Sequence, residues 1–228
     1  MSNVIELNHV EKVYSNGVDL QVLFDINLSF EAGSFNSIVG QSGSGKTTLL
    51  NIIGTLDRPT RGEVIIDGNR IDTMAKNKVA ELRNRVIGFV FQFHFLLPEF
   101  TALENVLMPY RILQPRLSGD VLKRADDLFE LVGISKVKNN PATRMSGGQQ
   151  QRTAIIRSLI NNPKLILADE PSGNLDTENT EAIYNTFRNI NKEFGTTFII
   201  VTHDRRIAEQ TDRIVEIRDG QIVIDLKR

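Results

Sequence analysis

The stretch GQSGSGKTT, Gly40 to Thr48, has the residue types and spacing to hold phosphate. It fits the pattern G-x-x-x-x-G-K-[ST] and lies between an apolar run, FNSIV, and a helical pattern, KTTLLNIIGTL. Gly40, Gly43 and Gly45 let the backbone around Gln41, Ser42 and Ser44 turn N–H groups inward without Cβ clashes. Lys46 is then placed to reach β- and γ-phosphates, and the Thr47 hydroxyl, with Thr48 beside it, to ligate Mg2+. A plain glycine turn before a helix is the alternative. The strand before the loop and the helix after it favour the phosphate reading.

A metal at such a loop needs a carboxylate. KLILADE supplies an apolar strand that ends in Asp169 and Glu170. Asp169 is the expected Mg2+ partner, directly or through water. Glu170 is not needed for the metal and suits a base that polarises an attacking water. An acidic helix cap is the alternative, although Pro171 delays the following helix. A third stretch, RMSGGQQQRTAII, opens a helix on Ser146, Gly147, Gly148 and Gln149. Glycine there costs backbone entropy. In return, a helix start with free N–H groups and a positive dipole end suits an anion. The phosphate loop already provides one anion site, so a second needs its own reason.

The elements that must position these residues follow from the patterning. VIELNHV, VLFDINLSF and GEVIIDG read as strands near turn glycines and form a small antiparallel portion. Short apolar runs then alternate with helical patterns, which favours α/β with a largely parallel sheet. From about residue 93 to 160 strand signals are weak, and two helices stand out. One is SGDVLKRADDLFELVG, with Val121, Leu122, Ala125, Leu128, Phe129 and Val132 on one face. The other begins at Ser146. After Pro163 the alternation resumes with LILADE, a helix from about Thr177 to Phe194, TTFIIVTHD, a short helix, and a hairpin around Asp219-Gly220. The expectation is an α/β core from residues 1–92 and 160–228 that carries an α-helical insertion, 93–159.

Bulk composition narrows the classes. The chain has 228 residues, a net charge of −1 and no cysteine. Disulfides and thiolate metal sites are thereby excluded, and there is no basic excess for nucleic acid. The start has no charged segment followed by an apolar run, so no signal peptide is read. No run reaches the ~18 apolar residues of a membrane span. VIGFVFQFHFLLPEF comes nearest and is broken by Gln92, His94 and Pro98.

The order of motifs resembles the ATP-binding-cassette (ABC) ATPases along the whole chain. It runs Tyr14, the phosphate loop, Gln92 in IGFVFQ, Met145-Ser-Gly-Gly-Gln149, Asp169-Glu170, SGNLD ending in Asp176, and His203 in IIVTHD. Met145 stands where Leu is commoner, an apolar exchange of similar volume. The resemblance implies a P-loop core with ATP and Mg2+. It also implies that Ser146, Gly147, Gly148 and Gln149 of one chain cap ATP held on the phosphate loop of another. That accounts for the second anion site and implies a homodimer, or a pair with a similar chain. By the same resemblance Tyr14 stacks on adenine, and Gln92 touches Mg2+ or water. His203 contacts the γ-phosphate and Asp176 faces the partner. Core packing for Tyr14 and helix capping for Asp176 stay open. His9 and His94 are unassigned.

Three classes of work compete: a transporter subunit, a soluble translation or repair protein, and a regulator of cell-wall enzymes. A single cassette without coiled coil or basic charge disfavours the second. FQFHFLLPEFTALENVLMPYRIL is unusually apolar for a helical insertion. Phe93, Phe95, Leu96, Phe100 and Leu103 either form its core or remain partly exposed as a groove for a partner helix. That stretch, with LNIIGTLDRPTRGEV and ILADEPSGNLD, is most similar to the LolD type of the LolD/MacB group. MacB-type exporters and FtsE-type cell-division ATPases are the alternatives. The resemblance implies integral membrane permease subunits as partners, a peripheral place on the cytoplasmic face of a bacterial inner membrane, and lipoprotein release.

Overall fold

Two sheets form, and burial tells them apart. β1 (Asn3–Ser15), β2 (Asp19–Glu31), β4 (Arg61–Ile66) and β5 (Asn69–Arg70) make an antiparallel sheet in the order β2-β1-β4-β5. Its strands mix buried and exposed positions, as a sheet with one packed face requires. β3 (Phe35–Val39) and β8 (Thr197–Val201) are buried at every position. They lie inside a six-stranded sheet with β6 (Ile87–Phe91), β7 (Leu165–Asp169), β9 (Arg213–Arg218) and β10 (Gln221–Lys227). Its order is β10-β9-β3-β8-β7-β6, parallel except for β10. The β9–β10 turn has Asp219 at φ 47° and Gly220 at φ 74°, the two left-handed residues that a tight hairpin needs. This computed structural model describes residues 2–15, 17–173 and 177–228, with the side chains of 177–179 excepted. Asp176, expected at a dimer face, lies outside the described residues.

Alternation along the central strands divides the core in two. On β8, Phe198 and Ile200 face a cluster with Phe187, Phe129 and Ile156. Ile199 and Val201 face the opposite cluster, with Leu49, Ile53 and Phe30. Period-two side chains on one strand thus hold both layers to the sheet. α1 (Lys46–Ile53) packs in the second layer and α6 (Thr177–Phe194) in the first.

Between β6 and β7 the chain forms three α-helices, where the sequence reading expected two. They are α3 (Ala102–Leu113), α4 (Gly119–Leu131) and α5 (Gly147–Leu159). Pro109 lies inside α3 and reads as a breaker. A capping box between Thr101 and Glu104, and burial of Ala102, Val106 and Leu107, outweigh it. α2 (Lys76–Val86) was also not anticipated. It is largely polar, with Val79 its one buried residue. α7 (Arg205–Ala208) follows β8.

Candidate nucleotide site

Parallel register assembles the site. Phe91 pairs with Asp169, Asp169 with Val201, and Val201 with Ile38. The C-terminal ends of β6, β7, β8 and β3 therefore finish level. Gln92, Glu170, His203 and the Gly40–Thr48 loop leave the sheet along one edge, where open α/β sheets bind ligands.

The loop is bound tightly to its surroundings. Gly45 is the N-cap of α1 at φ 104°, and a Cβ there would stand 2.9 Å from Leu23 Cδ2 and 3.2 Å from the Val22 carbonyl oxygen. Only glycine satisfies both constraints. The Gly220 N–H donates to the Ser44 carbonyl at 3.0 Å, which ties the loop to the β9–β10 hairpin. Lys46 is buried, and its Nζ donates to the carbonyls of Gly40 (2.9 Å) and Gln41 (2.7 Å). The ammonium is folded over the loop that precedes it. Ser44 Oγ is buried and makes no hydrogen bond among the described residues, so it is available to a further acceptor or donor. Thr47 is exposed on the first turn of α1.

The two carboxylates differ. Burial pushes the Asp169 carboxyl above its ordinary value, the Glu170 charge adds to this, and the Lys46 ammonium opposes it. A cation at Asp169 would offset this strain. Asp169, the Thr47 hydroxyl and the Gln92 amide are oxygen donors, the ligand type that a hard divalent ion takes. Glu170 sits at φ 47°, a left-handed geometry for a side-chain-bearing residue. Its N–H donates to the Val201 carbonyl at 3.0 Å, and its carbonyl accepts from the Gly173 N–H at 3.0 Å. His203 Nδ1–H donates to Glu170 Oε1 at 2.8 Å. Gln92 lies against this turn: a Cβ on Gly173 would stand 2.6 Å from Gln92 Nε2.

Tyr14 comes from the other sheet. Its hydroxyl donates to Asp57 Oδ2 at 2.8 Å and lies within hydrogen-bond reach of Thr48. Burial, then the bond to Asp57, raises the phenol above its ordinary value. Lys12 Nζ lies 4.6 Å from the ring centroid and donates to Asp57 Oδ1 at 2.7 Å. The sequence reading missed Lys12 and Asp57, because no local pattern links positions so far apart. Ser146 and Gln149 stand apart, on the helical segment. They form a capping box at the start of α5: Ser146 Oγ accepts from the Gln149 N–H (3.4 Å), and Gln149 Oε1 accepts from the Ser146 N–H (3.0 Å). The spacing S-x-x-Q was the available signal. His9, left unassigned, pairs with Asp25 across the exposed face of β1 and β2, where the register of the two strands shifts.

Of the apolar stretch after Gln92, Leu96 and Leu103 pack against the core. Phe93 (61% exposed), Phe95 (65%) and Phe100 (38%) remain accessible.

Comparison with known proteins gives the family. The family model described as ABC transporter matches residues 23–173. The Lipoprotein-releasing system ATP-binding protein LolD 1 of Rhodopseudomonas palustris is 48% identical over 97% of this chain and 99% of its own length. The LolD protein of Anaeromyxobacter dehalogenans is 49% identical over 97% of this chain and 93% of its own. Among solved structures, the ATP-binding cassette MJ0796, dimeric in a post-hydrolysis state bound to ADP and Pi, superposes with a TM-score of 0.89. It is 40% identical, with 98% of each chain covered. CbiO1 from Clostridium perfringens, part of the transporter complex cbiONQ, gives a TM-score of 0.90 at 27% identity, covering all of this chain and 89% of that one. The motif order, the phosphate loop with its carboxylates on one sheet edge, and these likenesses have one meaning: the chain belongs to the ABC transporter family of ATP-binding cassettes.

Proposed function

We propose that this chain is the ATP-hydrolysing subunit of a lipoprotein-releasing system of the LolD type. It works as an ATP-bound homodimer docked by integral membrane subunits at the cytoplasmic face of a bacterial inner membrane. The observation that carries the ATPase reading is the convergence of Lys46, Asp169, Glu170 and His203 on one sheet edge. The relatives named LolD support the assignment to lipoprotein release. The dimeric cassettes among similar structures support the homodimer. No observation favours the MacB-type or FtsE-type alternatives.

In this reading the loop N–H groups of residues 40–48 bind the phosphates. Lys46 exchanges its two carbonyl acceptors for β- and γ-phosphate oxygens, and Tyr14 stacks on adenine. Asp169, Thr47 and Gln92 hold Mg2+, which would neutralise charge on the phosphates. Glu170 takes the proton of the attacking water, and the His203 N–H fixes the carboxylate and orients that water. Ser146, Gly147, Gly148 and Gln149 of the partner chain close the site, with Asp176 at the dimer face. Phe93, Phe95 and Phe100 form the apolar surface offered to the membrane subunit.

Glu170→Gln tests the chemistry. ATP binding should persist while turnover falls by about 10²–10⁴-fold, as expected for loss of a general base. The variant should also elute as an ATP-dependent dimer and co-purify with integral membrane subunits from detergent-solubilised membranes. Hydrolysis at the parent rate would remove Glu170 from the mechanism. Recovery of soluble partners alone would remove the membrane assignment.

A further inference from the structure

One buried amide joins the loop after Gln92 to the turn after Glu170. Gln151 lies in α5, and none of it is exposed (0%). Its Nε2 donates to the Pro171 carbonyl at 2.7 Å. Its Oε1 accepts from His94 Nδ1–H. α5 grips the same loop again, as Arg157 donates from Nη1 to the Phe95 carbonyl (2.7 Å) and from Nη2 to the His94 carbonyl (2.8 Å). Both ends of the connection hold non-glycine residues in left-handed geometry, Phe95 at φ 45° and Glu170 at φ 47°. Such residues persist where their surroundings fix them.

We propose that Gln151 is a positioning residue that couples the exposed segment bearing Phe93 and Phe95 to the Glu170 turn. His94 is the input and the Pro171 carbonyl the output. The proposal rests on the reading that Glu170 acts on ATP. The amide is planar and uses both polar ends, so a displaced His94 moves the group that holds Pro171. No water replaces a bond lost at a site with no exposure. The proline ring fixes φ at residue 171, so few soft torsions separate its carbonyl from Glu170. Pressure on Phe93 and Phe95 from a docked partner is thereby delivered to the base, and nucleotide at the base is reported to the docking face.

The chain has three histidines, so ring nitrogen spectra of the 15N-histidine-labelled full chain can be assigned by single substitution. The probe is a non-hydrolysable ATP analogue with Mg2+. In the parent chain the His203 and His94 ring signals should both move. In Gln151→Met, His203 should still move and His94 should not. Gln151→Glu is the second variant, should the first fail to fold. With its carboxyl ionised, a state the pH of the experiment must secure, it keeps an acceptor for His94 and has no donor for Pro171, so His94 should stay hydrogen-bonded without the analogue and not respond to it. Its kcat, counted per analogue-binding site so that a smaller folded fraction does not mimic the effect, should fall about tenfold with KM for ATP within about twofold. A His94 response that survives in either variant overturns the proposal. So does a silent His94 beside a responsive His203 in the parent chain. If neither ring responds in the parent, the ATP-site reading falls with it.

Discussion

Gly88→Ala tests whether α5 lies directly on the central sheet. Gly88 is in β6, and a Cβ built there would stand 2.4 Å from the Ser158 carbonyl oxygen and 2.5 Å from Ile166 Cδ1. Ser158 is in α5 and Ile166 is the cross-strand neighbour on β7. Relaxed contacts between non-bonded atoms stand near ~3.5 Å, so relief needs a shift of roughly 1 Å. One obstacle is helix backbone and cannot rotate away. Overpacking of this kind costs about 1–3 kcal/mol, with this site toward the upper end. For a chain of this length each kcal/mol lowers Tm by about 2–4 °C, so a loss of about 5–10 °C is expected. The assay is thermal and urea unfolding by circular dichroism, with the urea slope unchanged so that the midpoint alone reports stability. Gly119→Ala is the control. Gly119 opens α4, and a Cβ there meets nothing within 4 Å. That change should stabilise by up to about 1 kcal/mol. A Gly88→Ala protein within ~0.5 kcal/mol of its parent would refute the close helix–strand packing.

Other expectations concern the site and the surface. Tyr14→Ala should raise the Kd for ATP by about 5–100-fold, the range of base–aromatic stacking, while kcat at saturation changes little; isothermal titration decides it, and an unchanged Kd would return Tyr14 to a structural role. The Arg213 guanidinium, bonded to Asp225 through Nε and Nη2 at 2.6 Å each, holds that carboxyl below its ordinary value of 3.8. The folded value lies below the unfolded one, so this contribution is complete above about pH 4 and is lost as pH falls through the lower folded value. Asp225→Asn should therefore flatten the fall of Tm below about pH 4, and an unchanged acid limb would contradict the pairing. Phe93→Ser with Phe95→Ser should leave Tm within about 3 °C, because both rings are more than half exposed, while membrane-subunit capture is lost; a large drop in Tm would make these rings core.

Much of the candidate site was legible because its signals are local. The phosphate loop, the LILADE strand and the Ser146–Gln149 helix start each sit within a few residues of the element they need. The hairpin at Asp219-Gly220 was legible for the same reason. α3 was missed because Pro109 is a local breaker, and the burial that overrides it comes from distant elements. α2 was missed because a polar helix with one buried residue leaves almost no periodic trace. The split among the apolar residues after Gln92 was also beyond the sequence. Phe93 and Phe95 are apolar residues in the same run as Leu96 and Leu103, which pack inward, and only backbone direction separates them.

The sequence by itself determined which groups are present and in what order: the glycines, Lys46, the paired carboxylates, and the helix starts at Lys46 and Gly147. Short-range chemistry dictates those, because a turn, a cap or a strand end depends on neighbours along the chain. Tertiary structure decided what meets what. Register among β3, β8, β7 and β6 levels the strand ends. Asp57 reaches Tyr14 from another part of the chain, and Gln151 joins His94 to Pro171. Such contacts depend on how strands pair and how helices lie on the sheet, and no single segment of sequence contains that information.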